Sequence, residues 1–158
     1  MGVASFQALC DEFCEAAGVG REPLREDSEG AMTFSAEISD VAVNVVHMHA
    51  THPDNAFLLI DFGPPPEEAQ AQALRALLLI NFTFLGHETA TTFSIHPVYG
   101  NVTLQATLRL DNSNGEKLLR SVQVLAAAAL QWRETHYLQG SSEAGTAELK
   151  NLSEGLRA

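Results

Sequence analysis

The sequence predicts an α+β domain of order α-β-β-β-α-β-β-α, with a twisted antiparallel sheet packed by helices. Apolar residues recur at helical spacing in three stretches, near the start, the middle and the end of the chain. Between them lie runs with strand period, rich in β-branched residues. Those runs follow one another across short turns, as antiparallel neighbours do, rather than alternating with helices as in a parallel sheet.

The first helix is predicted over residues 3–17. Val3, Phe6, Leu9, Cys10, Phe13, Cys14 and Ala17 form one stripe, Asp11, Glu12 and Glu15 take the other side, and Gly18 and Gly20 stop it. Residues 21–30 are charged and hold Pro23, Asp27, Ser28 and Gly30, which reads as a loop. In the first strand Met32, Phe34, Ala36 and Ile38 alternate with Thr33, Ser35 and Glu37. Ser39-Asp40 turns the chain back into a second strand over residues 41–49. Residues 51–55 turn again, and the third strand covers residues 56–62.

The second helix is predicted from residue 66 to residue 85. Pro66 suits a first turn, Glu67 and Glu68 complement the helix dipole, and Gly86 ends it. Leu74, Leu77, Leu78, Asn81, Phe82 and Leu85 share a face that Ala73, Ala76, Ile80 and Phe84 broaden. A helix that apolar is covered on two sides, inside the domain or against a second subunit. Strands over residues 91–96 and 102–110 follow, and the last helix runs over residues 115–138 with Leu118, Val122, Leu125, Ala126, Ala129 and Trp132 on its apolar side. Residues 1–138 therefore form a single domain. Residues 139–158 carry Gly, Ser, Glu and Ala with little bulk and are expected to be a flexible C-terminal tail.

Of the 158 residues, 20 are acidic and 9 basic, a net charge of −11. The basic residues are scattered singles, which excludes nucleic acid and anionic membrane surfaces as partners. No apolar run reaches the roughly 18 residues of a spanning helix, so no membrane insertion is expected. The N-terminus lacks the basic and apolar regions of a secretory signal. Cys10 and Cys14, four apart on a helix, read as small core residues in a reducing cytoplasm.

The most suggestive chemical cluster is His47, His49 and His52. The first two share a strand face and the third sits in the following turn, so a metal or ligand site, enzymatic or not, is one reading, with Asp54 or Asp61 as further ligands. Spacing alone supplies no third and fourth ligand, and a solvated or partner-facing strand end is the plainer account. Ser94, His96 and Asp111 lack a nucleophile elbow, and no glycine-rich phosphate loop is present. The sequence thus names no catalytic residue, no metal site and no cofactor, and the chain is not expected to be an enzyme. What it does carry is surplus apolar surface. Val41, Val43 and Val45 oppose Val46 and Met48, while Phe57 and Leu59 oppose Leu58, Ile60 and Phe62. With helices on one face only, the other face marks a protein interaction site.

The chain resembles the class I type III secretion chaperones, the Tir-chaperone-like (CesT-like) family. The resemblance rests on Phe6-x-x-Leu9-x-x-x-Phe13 followed by glycine, on Leu58-Leu59-Ile60-Asp61-Phe62 leading into a proline and glutamate helix start, on Leu77-Leu78-Leu79-Ile80-Asn81-Phe82, on Val102-x-Leu104-x-x-x-Leu108-x-Leu110, and on Trp132 near the end of the last helix. It covers roughly residues 3–138. The longer Pro64-Pro65-Pro66 run and the Ala-rich third helix depart from the family's pattern. The resemblance implies a homodimer in the bacterial cytosol that holds the N-terminal segment of secreted effectors extended and presents it to the secretion apparatus, whose ATPase is a further partner. An adaptor that binds a regulatory protein is the alternative within the same fold. The implied dimer contact is the second helix and the strand after it, with Leu74, Leu77, Leu78, Phe82, Phe93 and Ile95. Phe6, Phe34, Val43, Val45, Leu58 and Ile60 are the expected effector groove.

Overall fold

The computed structural model describes residues 2–84 and 90–138. The expected helix end at Leu85 and Gly86, the tail over residues 139–158 and the side chain of Val3 lie outside the described residues. The elements are α1 (Gly2–Ala17), β1 (Arg25–Glu26), β2 (Ala31–Ile38), β3 (Val41–Met48), β4 (Asn55–Gly63), α2 (Gln70–Thr83), β5 (Thr91–Ile95), β6 (Val102–Arg109) and α3 (Gly115–Thr135). The strands form one six-stranded antiparallel sheet in the order β1-β2-β3-β4-β6-β5. The α+β class and the element order are those the sequence predicts, with one strand added.

That strand is β1, within the segment read as a loop. The Asp27 carboxylate accepts from the backbone N–H of Glu29 and of Ala31, both at 2.9 Å, and Gly30 takes a positive φ of 81°. This side-chain-stabilised turn folds residues 25 and 26 back onto Thr33 and Met32. The next turn is tighter. Ser39 and Asp40 both have positive φ, and Ile38 pairs with Val41, the geometry of a two-residue hairpin loop matched to strand twist.

α1 and α3 pack on each other and cover one face of the sheet, the inner face. Strand register brings Phe34, Val45, Leu58 and Ala106 side by side on that face, and Val43, Ile60 and Leu104 beside them. Trp132, Val122 and Ala129 of α3 and Phe6, Leu9 and Phe13 of α1 complete the core. At the start of α3, Asn114 caps the helix by accepting from the Lys117 N–H at 2.9 Å. The N–H of Gly115 is donated to the Glu12 carboxylate of α1 at 2.9 Å.

α2 starts later than the sequence predicts, at Gln70 instead of residue 66. Ala69 sits in the left-handed region, with φ 56°, so helical geometry cannot extend back through it. Glu67 and Glu68 therefore precede the helix rather than occupy its first turn. α3 likewise stops at Thr135, where His136 turns left-handed with φ 50°.

Arg133 ties α3 to the sheet. Its guanidinium donates to the Asp40 carbonyl at 2.8 Å and to the Asp61 carbonyl at 2.9 Å. It lies over Gly63, whose φ of 88° follows a register shift in β4. Two carbonyls thus share one planar fork. Arg133→Met, which keeps most of the apolar stem, should lower stability by about 2 kcal/mol in urea unfolding. A loss under about 0.5 kcal/mol, the range of an ordinary surface change, would show the clamp to be idle.

Candidate partner-binding surfaces

Phe6, Phe34, Val43, Val45, Leu58 and Ile60, the expected effector groove, are all core residues with 2% exposure or less. The five strand residues lie on the inner face, under α1 and α3, Phe6 of α1 packs into the same core, and none of the six offers a surface to a partner in this structure. Strand parity correctly placed the sheet residues among them together, but the helices cover that side.

The other sheet face is the open one. Val46 and Met48 of β3 and Phe57 and Leu59 of β4 are half-buried there, with Val46 paired to Phe57. Ser35 donates to Asn44 at 2.7 Å beside them, and Gln105 and Thr107 of β6 continue the face. By register its charged residues are Arg25, Glu37, Asp61 and Arg109, at strand ends or the sheet edge. In a chain of net charge −11 the centre of this face is uncharged.

α2 supplies a second apolar surface. Leu78, Leu79 and Phe82 are 66%, 62% and 74% exposed, and Ile95 of β5 is 44% exposed. Of the expected dimer residues, Leu77 and Phe93 instead turn into the core, and Leu74 is partly buried against it. Val98 and Tyr99, at the β5–β6 turn, are exposed apolar residues that sequence periodicity does not single out, because they lie outside any regular element.

Asn81, read from sequence as one more member of the α2 face, has its own task. Its side chain makes a bond in each direction to the backbone of Phe93. The only sequence signal is an amide within an otherwise apolar run.

The three histidines do not converge. His47 is buried, stacked on Phe6 with ring centres 5.2 Å apart, and its Nδ1 lies 2.9 Å from the Asn55 carbonyl, to which it donates. His49 is near it, at 6.3 Å between rings. His52 is exposed and packs nearly at right angles to Phe57, on the opposite face, with ring centres 5.3 Å apart. Among the described residues no group of three or more His, Cys, Asp or Glu could hold a metal ion. The reading of His47, His49 and His52 as one metal or ligand site is therefore corrected: His47 and His49 stay near each other, while the turn after β3 sends His52 to the opposite side.

Cys10 and Cys14 are buried free thiols. Burial, with smaller effects from Cys14 and Asp11, pushes the Cys10 thiol up to about 12, and burial also raises Cys14. Both are inert core residues. A recess of about 450 Å³ between α1 and α3 is lined by Glu12, Glu15, Ala16, Asn114 and Glu116. Glu12 there is engaged in capping α3. No described helix is long and apolar enough to cross a membrane.

A family model described as the Tir chaperone protein (CesT) family matches residues 8–133. Among solved structures, a chain of the ExsC–ExsE complex has a similar fold, with a TM-score of 0.63 at 17% identity over 88% of this chain and 98% of that one. A chain of the HopA1–SchA chaperone–effector complex is also similar, with a TM-score of 0.59 at 17% identity over 83% of this chain and 94% of that one. No curated protein matches the sequence. At this identity the structural likenesses show the fold.

Proposed function

This chain belongs to the Tir chaperone protein (CesT) family, and we propose that it is a type III secretion chaperone. It binds the N-terminal segment of secreted effectors in the bacterial cytosol, keeps that segment extended and soluble, and delivers it to the secretion apparatus and its ATPase. The observation that carries this reading is the uncovered, uncharged outer face around Val46, Met48, Phe57 and Leu59. One fold neighbour is a chain of a chaperone–effector complex, which supports it.

An effector segment has a backbone site beside that face. The Ala31 carbonyl accepts from the Asp27 N–H on the β1 side, so odd-numbered residues of β2 direct their backbone groups away from β3. β1 pairs only with Met32 and Thr33. Beyond them, Ser35 and Glu37 face an edge with no neighbouring strand among the described residues. An extended chain adds a strand there and lays alternate side chains toward the outer face. The net charge of −11 keeps such apolar surface soluble and favours basic client segments. A second copy covers Leu78, Leu79 and Phe82 of α2, giving a homodimer. The role is binding, without covalent chemistry.

Paired substitutions test the face assignment. Leu59→Glu on the outer face should leave the fold intact and weaken capture of an effector N-terminal segment by at least about tenfold. Val45→Glu on the inner face should unfold the chain, because it buries an unpaired charge. Circular dichroism and a binding titration read both outcomes. Unchanged binding by a folded Leu59→Glu protein would reject the outer face as the client surface.

A further inference from the structure

β5 is an edge strand, and an exposed edge invites pairing with any extended chain. The Ala90 carbonyl accepts from the Thr107 N–H on the β6 side, so the odd-numbered residues Thr91, Phe93 and Ile95 turn their backbone groups outward. At Phe93, the middle of these, the N–H donates to Asn81 Oδ1 at 2.7 Å and the carbonyl accepts from Asn81 Nδ2 at 3.0 Å. These are the two bonds a residue of a neighbouring strand would make. A carboxamide carries one acceptor and a donor side by side, which matches a single backbone residue. Aspartate lacks the donor and leucine lacks both. Asn81 reaches Phe93 from a helix whose Leu77 and Ile80 are buried and whose Leu78, Leu79 and Phe82 are exposed.

We propose that Asn81 is a strand surrogate that closes the β5 edge, refusing extended chains there and holding α2 so that Leu78, Leu79 and Phe82 face outward. The second half rests on the dimer reading above; the edge closure does not. Asn81 is thus a positioning residue. It leaves β2 as the edge open to a client, and it makes two copies meet through α2 side chains instead of backbone to backbone along β5.

Amide hydrogen exchange separates the two readings when measured in the wild type and in the monomer expected from Phe82→Glu with Leu78→Glu, because the Asn81 bonds lie within one chain. In both backgrounds the Phe93 amide should exchange about tenfold or more slowly than in the matching Asn81→Leu protein. Asn81→Asp keeps the acceptor for the Phe93 N–H, so that amide should stay protected. A synthetic peptide copying Val102–Arg109, a strand that already pairs with β5, probes the edge itself. Asn81→Leu should bind it at least about tenfold tighter than the wild type, and N-methylation of alternate peptide amides should abolish the gain. A Phe93 amide no better protected than those of Thr91 and Ile95 in the wild type overturns the proposal, even if Asn81→Leu fails to fold. So does a peptide that binds the wild type as tightly as the variant.

Discussion

Gly115→Ala should destabilise the protein by about 3 kcal/mol or more, one of the largest effects of any single methyl group in the chain. A Cβ at this position would stand 2.2 Å from the backbone carbon of Glu12 and 2.4 Å from the Phe13 nitrogen. Backbone cannot swing aside as the end of a flexible side chain can. α1 and α3 would have to separate, and with them the Gly115 N–H bond to the Glu12 carboxylate and the contacts of Phe13 and Trp132 in the core. The melting temperature should fall by roughly 6–12 °C. Gly20→Ala is the control, since no atom lies within 4 Å of a Cβ there. It should change stability by no more than about 0.5 kcal/mol. Equal melting temperatures for the two variants would mean that the helices do not approach as closely as the structure has them.

The second large effect is on assembly. Phe82 is 74% exposed and Leu78 66%, on a helix whose other side is already packed. Covering them in a homodimer removes apolar surface from water, and a central aromatic of this kind carries a large share of such an interface. Phe82→Glu with Leu78→Glu should weaken self-association by at least about thirtyfold, leaving a folded monomer in sedimentation. Because both side chains point away from the core, thermal unfolding of the monomer itself should change little. A wild type that sediments as a monomer at high concentration would remove the dimer from the account and leave the client surface standing.

Much of the fold was legible because it rests on local patterns. Alternation in residues 31–38 and 41–48 set both strands, and Ser39-Asp40 set the hairpin between them. β1 escaped because two residues carry no period, and only the Asp27 turn reveals them. The start of α2 escaped because Pro66 and the glutamates satisfy every local rule for a first turn, while a left-handed alanine at position 69 has no local sequence signal. The proposed client surface was legible only up to a sign. Alternation shows that Val43 and Val45 oppose Val46 and Met48, but not which side α1 and α3 cover, since both sides carry apolar bulk. The predicted groove therefore fell on the core. The histidine cluster failed for a related reason. His47 obeys strand parity, whereas His52 belongs to a turn, where parity says nothing.

An exchange footprint of the protein with and without the N-terminal segment of an effector secreted by the same bacterium tests the outer-face binding site most directly. Amide exchange should slow at Ser35 and Glu37 on the β2 edge, and the side-chain signals of Val46, Met48, Phe57 and Leu59 should broaden or shift. The packed surface between α1 and α3 should be unchanged. A footprint confined to α1 and α3, or to the β5 edge, would contradict it, as would the absence of any complex with such a segment.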